Sequence, residues 1–379
     1  MFEIVFWAAV LMLAYIYAGY PVLAGMLARR YGRPVRRGPI LPSVTVVIAA
    51  YDEERHIREK IDNVLALDYP RDRLNIIVAS DASADATDRI VREHPAQNVE
   101  LLRVEGRQGK TACQNAAAAV ARGEILMFTD ATTRIDPHAL TAMVQNFADP
   151  EVGSVAGSLV YVAAGADPTS QGGTAYWSYE SRLRLAESQL GSLIGVSGCL
   201  YCVRRGCYQP IPPGLISDFV IALRIREQGL RTVLEPEALC YEETLTDADR
   251  ELSMRIRVSV RSLVALLAER RCLNPLRYGC FAWQLWSHKL LRYLAPYFWI
   301  VALIASCVLA IDRVLYRGLF AAQLALVIVG ALGFSLHARR RNLGIVTKPY
   351  YLLLTNLASL LATWRLLRGE RMVTWKPVR

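Results

Sequence analysis

The chain lacks the glycine-rich phosphate loops of the common nucleotide folds. No Gly-x-Gly-x-x-Gly follows its first strand-like run and no Walker A sequence occurs, so a nicotinamide- or ATP-dependent reading has no support. Charge is sparse: 21% of the 379 residues are charged against 53% hydrophobic, and mean hydropathy is +0.23. That balance excludes a disordered chain and argues against an ordinary soluble globule. Lysine is scarce, at five of 44 basic residues, and the formal net charge of +10 rests on arginines scattered over loops and apolar flanks. No basic stripe interleaved with aromatics stands out, so no nucleic acid partner is expected. Repeats and low-complexity tracts are absent. Cys199-Leu-Tyr-Cys202 and Cys207 have no second Cys-x-x-Cys or His pair at zinc spacing, and read as small buried hydrophobes.

What is present begins with uncharged runs. Ile4 to Ala28 carries no charge over 25 residues, and about 20 suffice to span a hydrocarbon core. The chain opens Met-Phe-Glu, without the basic start of a signal peptide. Arg29, Arg30, Arg33, Arg36 and Arg37 follow, which marks that end as cytoplasmic. Leu294 to Ile311 and Leu319 to Leu336 read as a helical hairpin, followed by His337-Ala338-Arg339-Arg340-Arg341. Pro349 to Trp364 is shorter and more polar, and either spans or lies re-entrant or interfacial. The expected divisions are a transmembrane helix at 1–30, a cytoplasmic α/β domain at 40–248, interfacial amphipathic helices at 249–288, transmembrane or re-entrant helices at 289–368, and a basic tail at 369–379. The expected location is the inner cell membrane, with lipids as neighbours. In a reducing compartment the eight cysteines are not expected to pair. A transporter would need more spans and an intramembrane charge pair.

Between the apolar ends, strand and helix signals alternate. Strands are expected at Val44–Ala50, Asn75–Ser80, Val99–Val104, Glu124–Thr129 and Val152–Gly157. Helices are expected at Glu53–Leu67, Asp85–His94, Lys110–Ala121 and Pro137–Phe147, the last with Asp136 as N-cap and Pro137 at its first position. Such alternation predicts a mostly parallel sheet, with ligands bound beyond the carboxyl ends of its strands. Tyr51-Asp52-Glu53, Asp81 and Asp130 all fall at such ends. Each alone is an ordinary turn or cap carboxylate; three together suggest one crevice.

At these residues the chain resembles the membrane-bound family 2 glycosyltransferases, whose fold is GT-A (Rossmann-like α/β). The likeness covers about residues 40–290. It rests on Val46-Val-Ile-Ala-Ala-Tyr-Asp-Glu-Glu54, Val78-Ala-Ser-Asp-Ala-Ser-Ala-Asp85, Gly109-Lys-Thr-Ala-Cys-Gln-Asn115, Phe128-Thr-Asp-Ala-Thr-Thr-Arg-Ile-Asp-Pro137, Ser197-Gly-Cys-Leu-Tyr-Cys-Val-Arg-Arg205 and Ser217-Asp-Phe-Val-Ile-Ala-Leu-Arg224. The resemblance implies an inverting transfer from a nucleotide sugar, UDP-linked by expectation, to a lipid-linked or polysaccharide acceptor. It implies that Ala50, Tyr51 and Glu53 hold the nucleotide, that Asp81 reads the uracil edge, and that Lys110 sits near the diphosphate. Asp130 matches the first acid of the metal-binding Asp-x-Asp, for Mg2+ or Mn2+, and Asp218 the catalytic base. Gly198, Arg257 and Arg261 fall on the acceptor and diphosphate side.

Three departures stand against the pattern. Thr132 replaces the second metal acid, Ser217 precedes the base where an acid is usual, and Val258 replaces the tryptophan of the Gln-x-x-Arg-Trp of processive synthases. The departures keep a second reading open, a non-catalytic nucleotide-binding subunit of a polysaccharide synthesis or export assembly. Retention of Asp81, Lys110, Asp130 and Asp218 argues against it. Leu252 to Leu267 is apolar on one face and arginine-rich on the other, as suits an interfacial helix. Trp283, Trp286, Tyr293, Tyr297 and Trp299 form an aromatic belt beside it.

Overall fold

A computed structural model describes residues 1–162, 175–243, 248–338 and 346–370. The arginines at 339–341 and the basic tail beyond 370 lie outside the described residues. The chain divides into two units, one of Met1–Leu23, Leu245–Leu267 and Ala282–Met372, the other of Ala24–Thr244, Ala268–Phe281 and Val373–Arg379.

The first helix, α1 (Phe2–Tyr31), is apolar and long enough to cross a membrane. Within it Tyr15–Gly19 forms a π-helical turn. The second unit then lays down β1 (Val44–Ala50), α2 (Ile57–Leu65), β2 (Leu74–Ser80), α3 (Thr87–Arg92), β3 (Val99–Arg103), α4 (Lys110–Val120), β4 (Ile125–Asp130), β5 (Arg134–Ile135), α5 (Ala139–Gln145) and β6 (Val152–Val162). After α6 (Ala175–Leu190) come β7 (Leu200–Arg204), α7 (Ser217–Glu227) and β8 (Arg231–Glu243).

One sheet takes all eight strands, in the order β3-β2-β1-β4-β7-β6-β8-β5. The pairs β1–β2, β1–β4, β2–β3 and β6–β8 are parallel, whereas β4–β7, β6–β7 and β5–β8 are antiparallel. Every residue of β1 is buried, as expected of a central strand covered on both faces. Helix α2 turns Ile57, Ile61 and Val64 into that core, beside Val46, Ile48, Ile76 and Val78.

Two local readings need correction. The helix after β5 starts at Ala139, not Pro137, and no side chain caps it. Asp136 Oδ1 accepts from His138 N at 3.0 Å, and Asp136 N donates to Leu239 O, so Asp136 is spent on a turn continuing the β5–β8 pairing. The strand expected at Val152–Gly157 runs on to Val162, because the 13-residue β8 lies alongside it.

The first unit adds α8 (Ala248–Ala268), α9 (Cys280–Leu309), α10 (Val314–Ala338) and α11 (Thr347–Leu367). Among the described residues three helical stretches are long and apolar enough to cross a membrane: Phe2–Tyr31, Cys280–Leu309 and Val314–Leu336. Phe6 and Ala9 of α1 pack with Ala302, Ala305 and Tyr316. Trp283 Nε1 donates to Tyr15 Oη at 2.9 Å, and Tyr15 Oη meets Ser287 Oγ at 2.7 Å. In α11, Asn356 Nδ2 donates to Tyr17 Oη at 2.9 Å. Helix α8 buries Ile256, Val260 and Leu263 against Ala358 and Ala362.

Candidate functional site

The carboxyl ends of β1, β2 and β4 open onto one crevice, as their parallel register requires. Its first wall is a pair of interlocked loops. Asp81 N donates to Ala50 O at 2.9 Å, and Glu53 N donates to Thr87 Oγ1 at 2.8 Å. Asp52 Oδ1 accepts from Ala84 N at 2.8 Å, and Asp85 Oδ2 accepts from Glu54 N at 3.1 Å. Glu53 is buried, accepts the first amides of α2 through its carbonyl, and faces His56 at 3.0 Å. Ala50 and Glu53 are thus tied to the Asp81–Thr87 loop by hydrogen bonds, with Tyr51 between them.

Asp81 has a job that its sequence position does not reveal. Its buried carboxylate accepts from Gln108 N at 2.7 Å and from Gly109 N at 2.9 Å. These bonds pull the loop after β3 across the crevice. Gly109 takes φ +92°, a backbone region an L side chain rarely adopts, and so turns the chain into α4. Asp52, Ala82 and Arg107 also have positive φ, at 51°, 55° and 48°. Such conformations persist only where neighbours over-determine them, and they gather at functional sites. The loop sets the Arg107 guanidinium over the Tyr51 ring, 4.1 Å from its centroid. Sequence reasoning missed Arg107 because nothing local distinguishes one arginine among many.

The second wall joins four segments distant in sequence. Lys110, the first residue of α4, donates to Asp130 Oδ1 and to Gly198 O at 3.0 Å. Burial works to lower the Lys110 pKa, but the charge and hydrogen bond of Asp130 outweigh it and hold the ammonium above its ordinary range. A Cβ on Gly198 would stand 2.9 Å from Asp218 Oδ2 and 3.5 Å from Lys110 Nζ, so glycine is what lets these groups approach. Asp218 lies inside the first turn of α7. The residue before that helix is Ile216, and no side chain caps it. Asp218 is therefore not the N-cap of α7. Asp218 Oδ1 is buried without a hydrogen-bond partner among the described residues. A buried acceptor left unsatisfied costs about 1–3 kcal/mol, and in a native site it calls for an explanation.

Glu242 of β8 is a half-buried residue that sequence reasoning did not single out. Burial pushes its carboxyl up to about 7; the charge of Asp130 adds to this and that of Lys110 opposes it. Ser217 is buried and Thr132 exposed. Arg257 and Arg261 lie on α8, in the other unit, one helical turn apart and both half-buried.

Among the described residues no group of three or more His, Cys, Asp and Glu side chains could hold a metal ion. Of the carboxylates at the site, Asp130 is a third exposed. A hard divalent ion accepts such a site when substrate phosphates supply further oxygens.

Comparison with known proteins agrees with this architecture. The family model described as "Glycosyl transferase family 2" matches residues 45–209. A poly-β-1,6-N-acetyl-D-glucosamine synthase of Staphylococcus aureus (strain COL) is 24% identical over 207 residues, which cover 53% of this chain and 50% of that protein. A probable glycosyltransferase, YdaM, of Bacillus subtilis (strain 168) is 25% identical over 219 residues, 54% of this chain and 51% of the relative. The chain thus spans about half the length of these curated relatives. Among solved structures, a mannosyltransferase from Pyrobaculum calidifontis in complex with GDP-Man and Mn2+ superposes with a TM-score of 0.74 at 24% identity, covering 98% of this chain and 100% of that one. That likeness establishes the fold, a GT-A-type mixed sheet combined with apolar helices. Through residues 45–209, the chain is similar to glycosyl transferase family 2.

Proposed function

We propose that the chain transfers a sugar from a nucleotide sugar to a lipid-linked or polysaccharide acceptor, with inversion, at the cytoplasmic face of a membrane. One observation carries the reading: Asp218 presents a buried carboxylate oxygen, without a partner among the described residues, beside Gly198 and next to the Lys110–Asp130 pair. A base must be within hydrogen-bond reach of the proton it takes, and a leaving diphosphate needs fixed positive charge.

Asp218 takes the proton of the acceptor hydroxyl as its oxygen bonds to the anomeric carbon. The bond from that carbon to the diphosphate oxygen breaks, and its electron pair leaves with the diphosphate. A single displacement inverts the centre. Lys110, fixed by Asp130 and Gly198 O, offsets the developing charge. Asp130 would hold a Mg2+ or Mn2+ that arrives with the donor, and such an ion, when bound, supplies further charge neutralisation at the diphosphate. Tyr51, under Arg107, offers a stacking face for the base, and Asp81 retains lone pairs toward a base N–H while bracing the loop.

We take UDP as the carrier and GDP as its competitor, since the similarly folded mannosyltransferase was solved with GDP-Man. The synthase relative supports a glycan acceptor, and the three apolar helices support a membrane setting; export proteins as partners are part of the proposal. The test is nucleotide release from a panel of UDP- and GDP-sugars by protein in lipid, with and without Mg2+ or Mn2+, beside Asp218→Asn. Release from one donor, lost in the variant while nucleotide binding persists, is the expected result. Nucleotide binding without release from any donor, indifferent to Asp218→Asn, would favour the non-catalytic subunit instead.

A further inference from the structure

One buried cation has no place in the scheme above. Lys60 lies on the inward face of α2, in helical register with Ile57, Ile61 and Val64, and is 2% exposed. Its Nζ donates to Thr129 Oγ1 at 2.8 Å, to Thr133 O at 2.7 Å and to Thr133 Oγ1 at 3.3 Å. All three acceptors are neutral, and Lys60 forms no ion pair among the described residues. An ammonium out of water without a counter-ion is among the costlier things a core can hold. Packing alone would be served better by methionine or leucine.

The three bonds grip both ends of the turn that carries Asp130 and Thr132. Thr133 Oγ1 in turn donates to Asp130 O at 3.1 Å, and Thr129 Oγ1 donates to Cys199 O at 2.9 Å. One ammonium therefore ties α2, which starts from the Glu53 loop, to the Asp130 turn and to the Gly198–Cys199 segment. Burial pushes the Lys60 pKa down to about 8, with Cys240 and then the charge of Asp130 pulling the other way. Two of the chain's five lysines converge on this turn, Lys110 in contact with Asp130 and Lys60 on Thr129 and Thr133.

We propose that Lys60 is a positioning residue of the transfer site: its buried ammonium fixes the Asp130 turn and the Gly198 segment in one geometry, and lends the diphosphate pocket positive potential through the protein. This rests on the glycosyltransferase reading for the identity of the anion, but not for the measurement of it.

The experiment compares full-length wild type, Lys60→Met and Lys60→Gln in lipid. Binding of UDP and GDP, and of the phosphate-free uridine and guanosine, is measured by titration, and Tm is measured alongside. A buried charge acting over several ångströms is expected to change affinity for a diphosphate about tenfold. In Lys60→Met the diphosphate nucleotide weakens by that factor, the nucleoside is unchanged, and Tm holds or rises. Lys60→Gln keeps a donor without the charge and weakens the diphosphate to a similar degree. Where turnover is measurable, kcat falls while KM for the acceptor stays. Equal loss for nucleotide and nucleoside together with a lower Tm would make Lys60 merely structural; no loss for either would end the proposal. Wild type that binds the nucleotide but never turns over leaves this comparison intact and counts against the transferase reading alone.

Discussion

The two walls of the crevice are built on opposite principles. On the Asp81 side, Asp52, Glu53, Asp81 and Asp85 are bonded to backbone amides or to one another's loops. On the Asp218 side, Asp218 Oδ1 has no partner among the described residues, Asp130 is held by a lysine, and Gly198 leaves out a side chain so that charges can approach. The first wall is organised before any ligand arrives; the second keeps polar capacity for atoms still to come. Preorganised donors and acceptors cost no rearrangement at the moment of reaction, whereas a base must keep its lone pair available.

The contrast is broken most severely at Asp218. Asp218→Asn should lower kcat by about 10³-fold, the usual worth of a positioned base, with UDP affinity and Tm held. Donor-release kinetics beside nucleotide titration check this, and a variant that retains activity ends the assignment. Gly198→Ala tests the close approach itself. Its new Cβ displaces the flexible end of Asp218, so kcat should fall roughly 10- to 100-fold with little change in Tm. Unchanged turnover would mean that Asp218 works from elsewhere.

On the other wall the sign pattern reverses. Asp81→Asn orphans a loop amide, costing about 1–3 kcal/mol, so Tm should drop by roughly 2–8 °C and nucleotide binding should weaken, while turnover at saturating donor is spared. Arg107→Ala removes a cation–aromatic contact worth about 0.5–1 kcal/mol. Titration should show nucleotide affinity altered two- to fivefold and kcat untouched; a kcat effect instead would place Arg107 on the transfer wall.

The smallest effect concerns pH. Lys60 titrates at about 8 in the folded protein against 10.5 when exposed. Between those values the unfolded chain binds the extra proton, so folding gains from this group as pH rises through the window. Wild type should therefore gain thermal stability relative to Lys60→Met from pH 8 to 10. A flat difference would mean that burial does not lower the Lys60 pKa in the folded protein.

Much of this frame was legible in the residues. Val44–Ala50 announced a buried central strand, and the strand-end positions of Tyr51, Asp81 and Asp130 announced one crevice, because a parallel strand delivers its carboxyl end to the same edge as its neighbours. Lys60 also carried a signal: a lysine in helical phase with Ile57, Ile61 and Val64 sits where a charge has no ordinary business. What failed did so for reasons of competition. Asp136 has the type and place of an N-cap, yet the pairing of β5 with β8 claimed its backbone.

Sequence by itself marked five of the eight strands and the apolar helices, since each depends on periodicity or on residues adjacent in the chain. Tertiary structure alone decided that Asp81 braces the loop reaching Gly109, that Arg107 covers Tyr51, and that Lys110, Asp130, Gly198 and Asp218 share one pocket. Those relations join residues up to about a hundred positions apart, and the energy of a hydrogen bond or a close charge pair depends on ångströms that only the packed core sets.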